Sequence, residues 1–150
     1  MIIVKTIGKL KKTDKTIDKV YIDWFERDKK LLRKISSLGT EVGIRVSEPL
    51  NDGDILYEDE STVMVVEMSE TDLIKVSVKD MCEMGRLCFE IGNRHLSLSI
   101  ESDSVRVPYD EPTFEYLKKL GFKAERVKEK FTDYIVCSGH SHTHSHEHNG

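Results

Sequence analysis

Long apolar runs are missing from the start of this chain: Met1-Ile2-Ile3-Val4 is interrupted by Lys5, too short for a signal-peptide core or a spanning helix. The expectation is a cytosolic protein with no membrane partner. A basic excess is also missing. With a formal charge of -4 and a pI near 5.9, the sequence has no face to neutralise a phosphate backbone, and nucleic acid is not expected as a partner. Cysteine is scarce and odd in number: Cys82, Cys88 and Cys137 form no C-x-x-C pair, which argues against a disulfide framework and for reduced thiols. Histidine is nearly absent before residue 140, where His95 stands alone. A metalloenzyme holding its ion by several fixed imidazoles, or a nucleophile with a positioned base, therefore has little to be built from, and no enzyme is expected.

What is present reads as ordinary globular protein, with 38% apolar and 33% charged residues. Short β signals run through residues 2–7, 20–24, 31–36, 42–46, 55–58 and 62–68. Val42, Ile44 and Val46 alternate with polar neighbours, while Gly39 and Asn51-Asp52-Gly53-Asp54 supply turns. The pattern predicts a small all-β domain over residues 1–70, of a partner- or peptide-binding type.

The second half predicts a strand over 73–78 and a helix over 79–94 with Met81, Met84, Leu87, Cys88 and Ile91 on its core stripe, stopped by Gly92-Asn93. Strands over 95–101 and 105–109, a helix over 111–120 opened by Pro112 and closed by Gly121, and a last strand over 122–127 follow. This β-α-β-β-α-β order makes residues 71–138 a ferredoxin-like domain within an overall α+β chain, with both helices on one sheet face and the other face open.

In the strand predicted over 95–101, Leu96, Leu98 and Ile100 would face the helices and His95, Ser97 and Ser99 the opposite side. A lone histidine at a helix–strand junction ordinarily hydrogen-bonds nearby backbone. A two-fold dimer, however, sets a residue near the axis against its own copy, turning one imidazole into two. The open face lacks the stacking aromatics of RNA-binding sheets.

Residues 139–150 contain His140, His142, His144, His146 and His148, alternating with small or polar residues and with nothing apolar to pack. Such a segment predicts a flexible tail whose neutral imidazoles suit nickel, copper or zinc. A purification tag or a functionless solvated tail are the competing readings, but tags usually repeat histidine without Ser and Thr between. A tethered tail would raise the imidazole concentration near His95 to about the millimolar range. Cys137, three residues before His140, could share an ion with it. Cys82 and Cys88 sit about 120° apart around a helix, so they cannot hold one ion together and read as packing residues, as do the methionines of that helix.

Glu90-Ile91-Gly92-Asn93-Arg94-His95 resembles the G-N-R-H signature of the urease accessory protein UreE family, which are nickel metallochaperones. The stretch from Gly39 through Val46, Leu50-Asn51-Asp52-Gly53-Asp54-Ile55-Leu56, Tyr109-Asp110 and the histidine-bearing end follow in the family's order. The resemblance implies a homodimer through the second domain and nickel shared by His95 of each protomer. It also implies delivery to the urease apoprotein through accessory proteins including the GTPase. Thr132-Asp133-Tyr134 and Cys137 depart from the family pattern. They leave open which tail histidine joins His95 and how well zinc or copper competes. The alternative function is a protein-interaction adaptor whose tail is a low-specificity metal buffer.

Overall fold

The computed structural model describes residues 1–136, so Cys137 and the five tail histidines lie outside the described residues. The chain divides into two compact units, the first spanning Met1–Glu70 and the second beginning at Thr71.

The first unit carries two three-stranded sheets. One has the order β1 (Ile2–Ile3), β4 (Glu41–Ile44), β3 (Leu32–Ile35), and the other β2 (Thr16–Ile22), β6 (Thr62–Met68), β5 (Ile55–Glu58). Strand β6 reads as a nearly unbroken apolar run because both of its edges are paired and both of its faces covered: Val63, Met64, Val65, Val66 and Met68 are all buried. Its parallel pairing with β2 runs from Thr16 opposite Thr62 to Ile22 opposite Met68. Inward-facing Val20, Ile22, Leu32, Val42, Ile44, Met64 and Val66 share one core, each such side chain contributing about 1.5–3 kcal/mol by leaving water. The sequence signals for 2–7 and 20–24 were misplaced. Pairing ends β1 at Ile3, while β2 starts at Thr16, its polar first half recruited by β6 from far along the chain, and gives way to a 3-10 turn at Trp24–Glu26.

The second unit has elements β7 (Glu70–Ser77), α1 (Met81–Asn93), β8 (Ser99–Ile100), β9 (Ser104–Pro108), α2 (Glu111–Lys119) and β10 (Lys123–Lys130). Its single sheet has the order β10-β7-β9-β8, with β9 antiparallel to both β7 and β8. Asp80 caps α1 by accepting the Glu83 N–H at 2.8 Å, and Asp110 caps α2 by accepting the Thr113 N–H at 3.1 Å. Ile74 and Val76 of β7, Val105 and Val107 of β9, and Leu87, Ile91 and Leu117 of the helices form the second core.

Four expectations for this unit are corrected. The strand over 95–101 begins only at Ser99, and Ile100, set opposite the core residue Val105, is left 45% exposed at the sheet edge while Leu96 and Leu98 pack against the core. Helix α1 ends at Asn93, as expected, but the left-handed residue that closes it is His95 rather than Gly92 or Asn93. Met81 is 88% exposed and Cys82 is exposed, so neither is a packing residue, although Cys88 is: burial among the core side chains pushes its thiol pKa up. The sheet face turned away from Ile74 and Val76 is not uniformly open either, because Leu73 on it is fully buried.

Candidate metal centre around His95

The backbone at the end of α1 fixes where His95 stands. Arg94 ends the helix with φ -90° and ψ 2°, and His95 follows in the left-handed region with φ 58°. The His95 N–H donates to the Gly92 carbonyl at 3.0 Å and the Leu96 N–H to the Ile91 carbonyl at 3.4 Å, while Leu96 and Ile91 meet in the core. These two bonds and that apolar contact constitute a Schellman motif with histidine in the position usually given to glycine. The outcome is an exposed imidazole on a fixed backbone, beside the last carbonyls of a helix, whose partial negative charge favours a cation.

The residue before His95 ties this turn to the second helix. Arg94 Nε donates to Thr113 Oγ1 at 3.3 Å, and that hydroxyl donates to Asp110 Oδ2 at 2.7 Å. The Arg94 guanidinium lies 4.9 Å from the Tyr116 ring centre, and the Tyr116 hydroxyl donates to Glu90 Oε1 at 2.7 Å. That hydrogen bond to a carboxylate raises the Tyr116 pKa above its ordinary value, so the hydroxyl stays a donor. Asn93, Arg94, Leu96, Tyr109, Asp110 and Thr113 line a depression of about 560 Å³ flanking the histidine. The sequence places Arg94 and Asp110 in the family-like motifs but gives neither a structural role, and it does not single out Thr113. The signal that could have found them is Asp110-Glu111-Pro112-Thr113, an N-cap followed by an acidic residue and proline in the first turn.

Among the described residues no three His, Cys, Asp or Glu side chains converge into a metal-holding group. A single imidazole with fixed backbone is what this chain places here. One imidazole does not hold a divalent ion by itself, so a metal site at His95 would need further ligands. The chain does lead towards His95 before the described part ends: Leu98 and Ile135 form an antiparallel bridge, with Ile135 N–H donating to the Leu98 carbonyl at 2.7 Å and Leu98 N–H to the Ile135 carbonyl at 3.1 Å. No helix of the described residues is long and apolar enough to cross a membrane.

Comparison with known proteins matches residues 3–69 to the UreE urease accessory protein N-terminal domain and residues 71–150 to the UreE urease accessory protein C-terminal domain. A urease accessory protein UreE of Acetivibrio thermocellus is 40% identical over 134 residues, 88% of each chain. One of Flavobacterium johnsoniae is 36% identical over 141 residues, covering 90% of this chain and 86% of the relative. One of Bifidobacterium longum subsp. infantis is 44% identical over 122 residues, covering 81% of this chain but only 55% of that longer relative.

Proposed function

The chain belongs to the UreE urease accessory protein family, and from that premise we propose that it is a cytosolic, homodimeric nickel chaperone for urease maturation. His95 from each of two protomers shares one nickel(II) as cargo, and His140, His142, His144, His146 and His148 assist capture and release. The ion then passes to the urease apoprotein through the accessory proteins including the GTPase, and zinc and copper compete for the same imidazoles. The second unit, read as ferredoxin-like, carries the metal and the dimer contact, and the first unit contacts partners.

The observation that carries this reading is the exposed His95 held in a left-handed turn at a helix C-terminus. Two others support it. The Leu98–Ile135 bridge anchors the chain only five residues before His140, and a chain spans at most about 3.3–3.6 Å per residue, so the tail imidazoles start within reach. Met81 and Phe89, eight residues apart on one side of α1, are 88% and 66% exposed, an apolar surface of the kind a second copy covers.

Nickel titration calorimetry with molar mass from light scattering tests the proposal, on protein whose five tail histidines are serine, with and without His95→Ala. About one nickel per dimer, lost with His95→Ala, is the expected result. Absence of nickel binding in both proteins would move metal handling to the tail and favour the adaptor alternative.

A further inference from the structure

The outer face of the sheet β1-β4-β3 combines features that the nickel chemistry does not use. Val42 and Ile44 of β4, Leu32 of β3 and Ile3 of β1 point into the core, so by alternation Gly43, Arg45, Arg33, Ile35 and Ile2 point out. The register sets Ile2 on one side of Gly43 and Arg33 on the other. With no side chain on Gly43 the centre of the face is sunken, and a Cβ there would stand 3.0 Å from Ile2 Cδ1. The hollow measures about 850 Å³.

Its rim is both apolar and cationic. Ile2, Leu31 and Ile35 are 65%, 60% and 70% exposed, a concentration of large apolar side chains that single scattered residues do not make. Between them stand Arg33 and Arg45, whose guanidinium groups make no hydrogen bond or ion pair among the described residues, whereas the neighbouring Lys34 is paired with Glu26 at 2.7 Å. Glu41, opposite Ile35, is the one acidic side chain in the lining. On a chain of net charge -4, this face offers an acidic segment two available cations flanked by apolar surface.

We infer that this face docks an extended segment of a partner protein in which two carboxylates at alternate positions are flanked by apolar side chains. The spacing supports it. Arg33 and Arg45 are diagonal neighbours on paired strands, about 7–8 Å apart, and alternate side chains of an extended segment repeat at about 6.8 Å. Each carboxylate can accept a forked pair of N–H groups from one guanidinium. Apolar residues two positions further out then meet Leu31, Ile35 and Ile2. The inference rests on the reading of the first unit as partner-contacting and is independent of nickel.

The test uses the full chain and fluorescein-labelled Leu-Ser-Glu-Ser-Glu-Ser-Leu, with lysine replacing glutamate in one control and alanine replacing leucine in another. Anisotropy should show binding of the first peptide over both controls, weakening with salt. The double substitution Arg33→Glu, Arg45→Glu should weaken it by about tenfold or more and turn preference towards the lysine peptide. Gly43→Val should weaken it by filling the hollow. Arg33→Gln, Arg45→Gln should also weaken binding of the glutamate peptide, without creating a preference for lysine, and replaces the charge reversal if that disturbs folding by circular dichroism. Equal binding of glutamate and lysine peptides, indifference to the arginine substitutions, or a fall in molar mass on charge reversal, which would make the occupant a second copy, each overturns the proposal. Cross-linking to urease apoprotein separates the two levels. Links confined to residues 71–136 remove the partner role of the first unit, whereas links within 1–70 that avoid this face remove only the docking site.

Discussion

His95 and Gly121 occupy the same position in two copies of one motif. Gly121 follows α2 with φ 95°, donating its N–H to the Lys118 carbonyl at 2.9 Å while Phe122 N–H donates to the Leu117 carbonyl at 3.1 Å. At the end of α1 the same pair of bonds surrounds a histidine with φ 58°. A side chain with Cβ costs about 1–2 kcal/mol in this region, and glycine does not. His95→Gly is therefore expected to stabilise the protein towards urea by about 1 kcal/mol while abolishing the nickel site of the tail-substituted dimer. Gly121→Ala should destabilise by a similar amount. A destabilised His95→Gly would mean that the imidazole itself supports the fold.

The exposed apolar side of α1 makes the dimer testable without metal. Phe89 leaves the core stripe of Leu87 and Ile91 and points to solvent, so Phe89→Glu removes no core contact. Light scattering should show the mass of a monomer, or a dimer dissociating at about tenfold higher concentration, with the circular dichroism spectrum unchanged. A dimer of unaltered strength would place the interface elsewhere on the second unit.

Much of this architecture is legible in the sequence, and the parts that are not fail for identifiable reasons. The apolar run of β6, the capped start of α2 and its glycine stop are local signals, and they correspond to elements close to where those signals fall. Leu96, Leu98 and Ile100 alternate like a strand, yet Leu96 is turned inward by the Schellman contact with Ile91, and regular pairing begins only at Ser99. Met81 and Phe89 share helical spacing with core residues, and spacing alone does not say which arc of a helix meets the sheet. His95 was recognisable as the candidate ligand. Its left-handed backbone was not, because glycine and asparagine immediately before it offer the more usual stop. The network from Arg94 through Thr113 to Asp110 joins residues 19 and 3 positions apart, and only the folded chain brings all three together.

Glu26 gives the first unit an acid-sensitive contact. Burial alone would raise its pKa, but the Lys34 ammonium at 2.7 Å and the Asp23 N–H at 3.0 Å outweigh this and hold it below the ordinary value of 4.5. A lowered folded pKa means the contact is fully stabilising above about pH 4.5 and is lost as pH falls through the lower folded value. Glu26→Gln should accordingly cost about 1 kcal/mol at pH 7, and the gap from wild type in urea denaturation should close below pH 4.5. A gap that stays constant down to pH 3 would show that lost packing, not charge, is responsible.

The Leu98–Ile135 bridge separates the contribution of the tail from that of His95. Proline at 135 removes the N–H that donates to Leu98 at 2.7 Å, and Ile135 is 56% exposed, so Ile135→Pro sacrifices little core. Releasing this anchor lengthens the effective tether between His95 and the tail imidazoles, and local ligand concentration falls with tether length. In protein with its natural histidines, nickel affinity should drop by about two- to fivefold. In protein whose tail histidines are serine, the same substitution should leave nickel affinity at His95 unchanged. Equal losses in both backgrounds would show that the bridge shapes the His95 turn itself, and the tail would then act without help from its anchoring point.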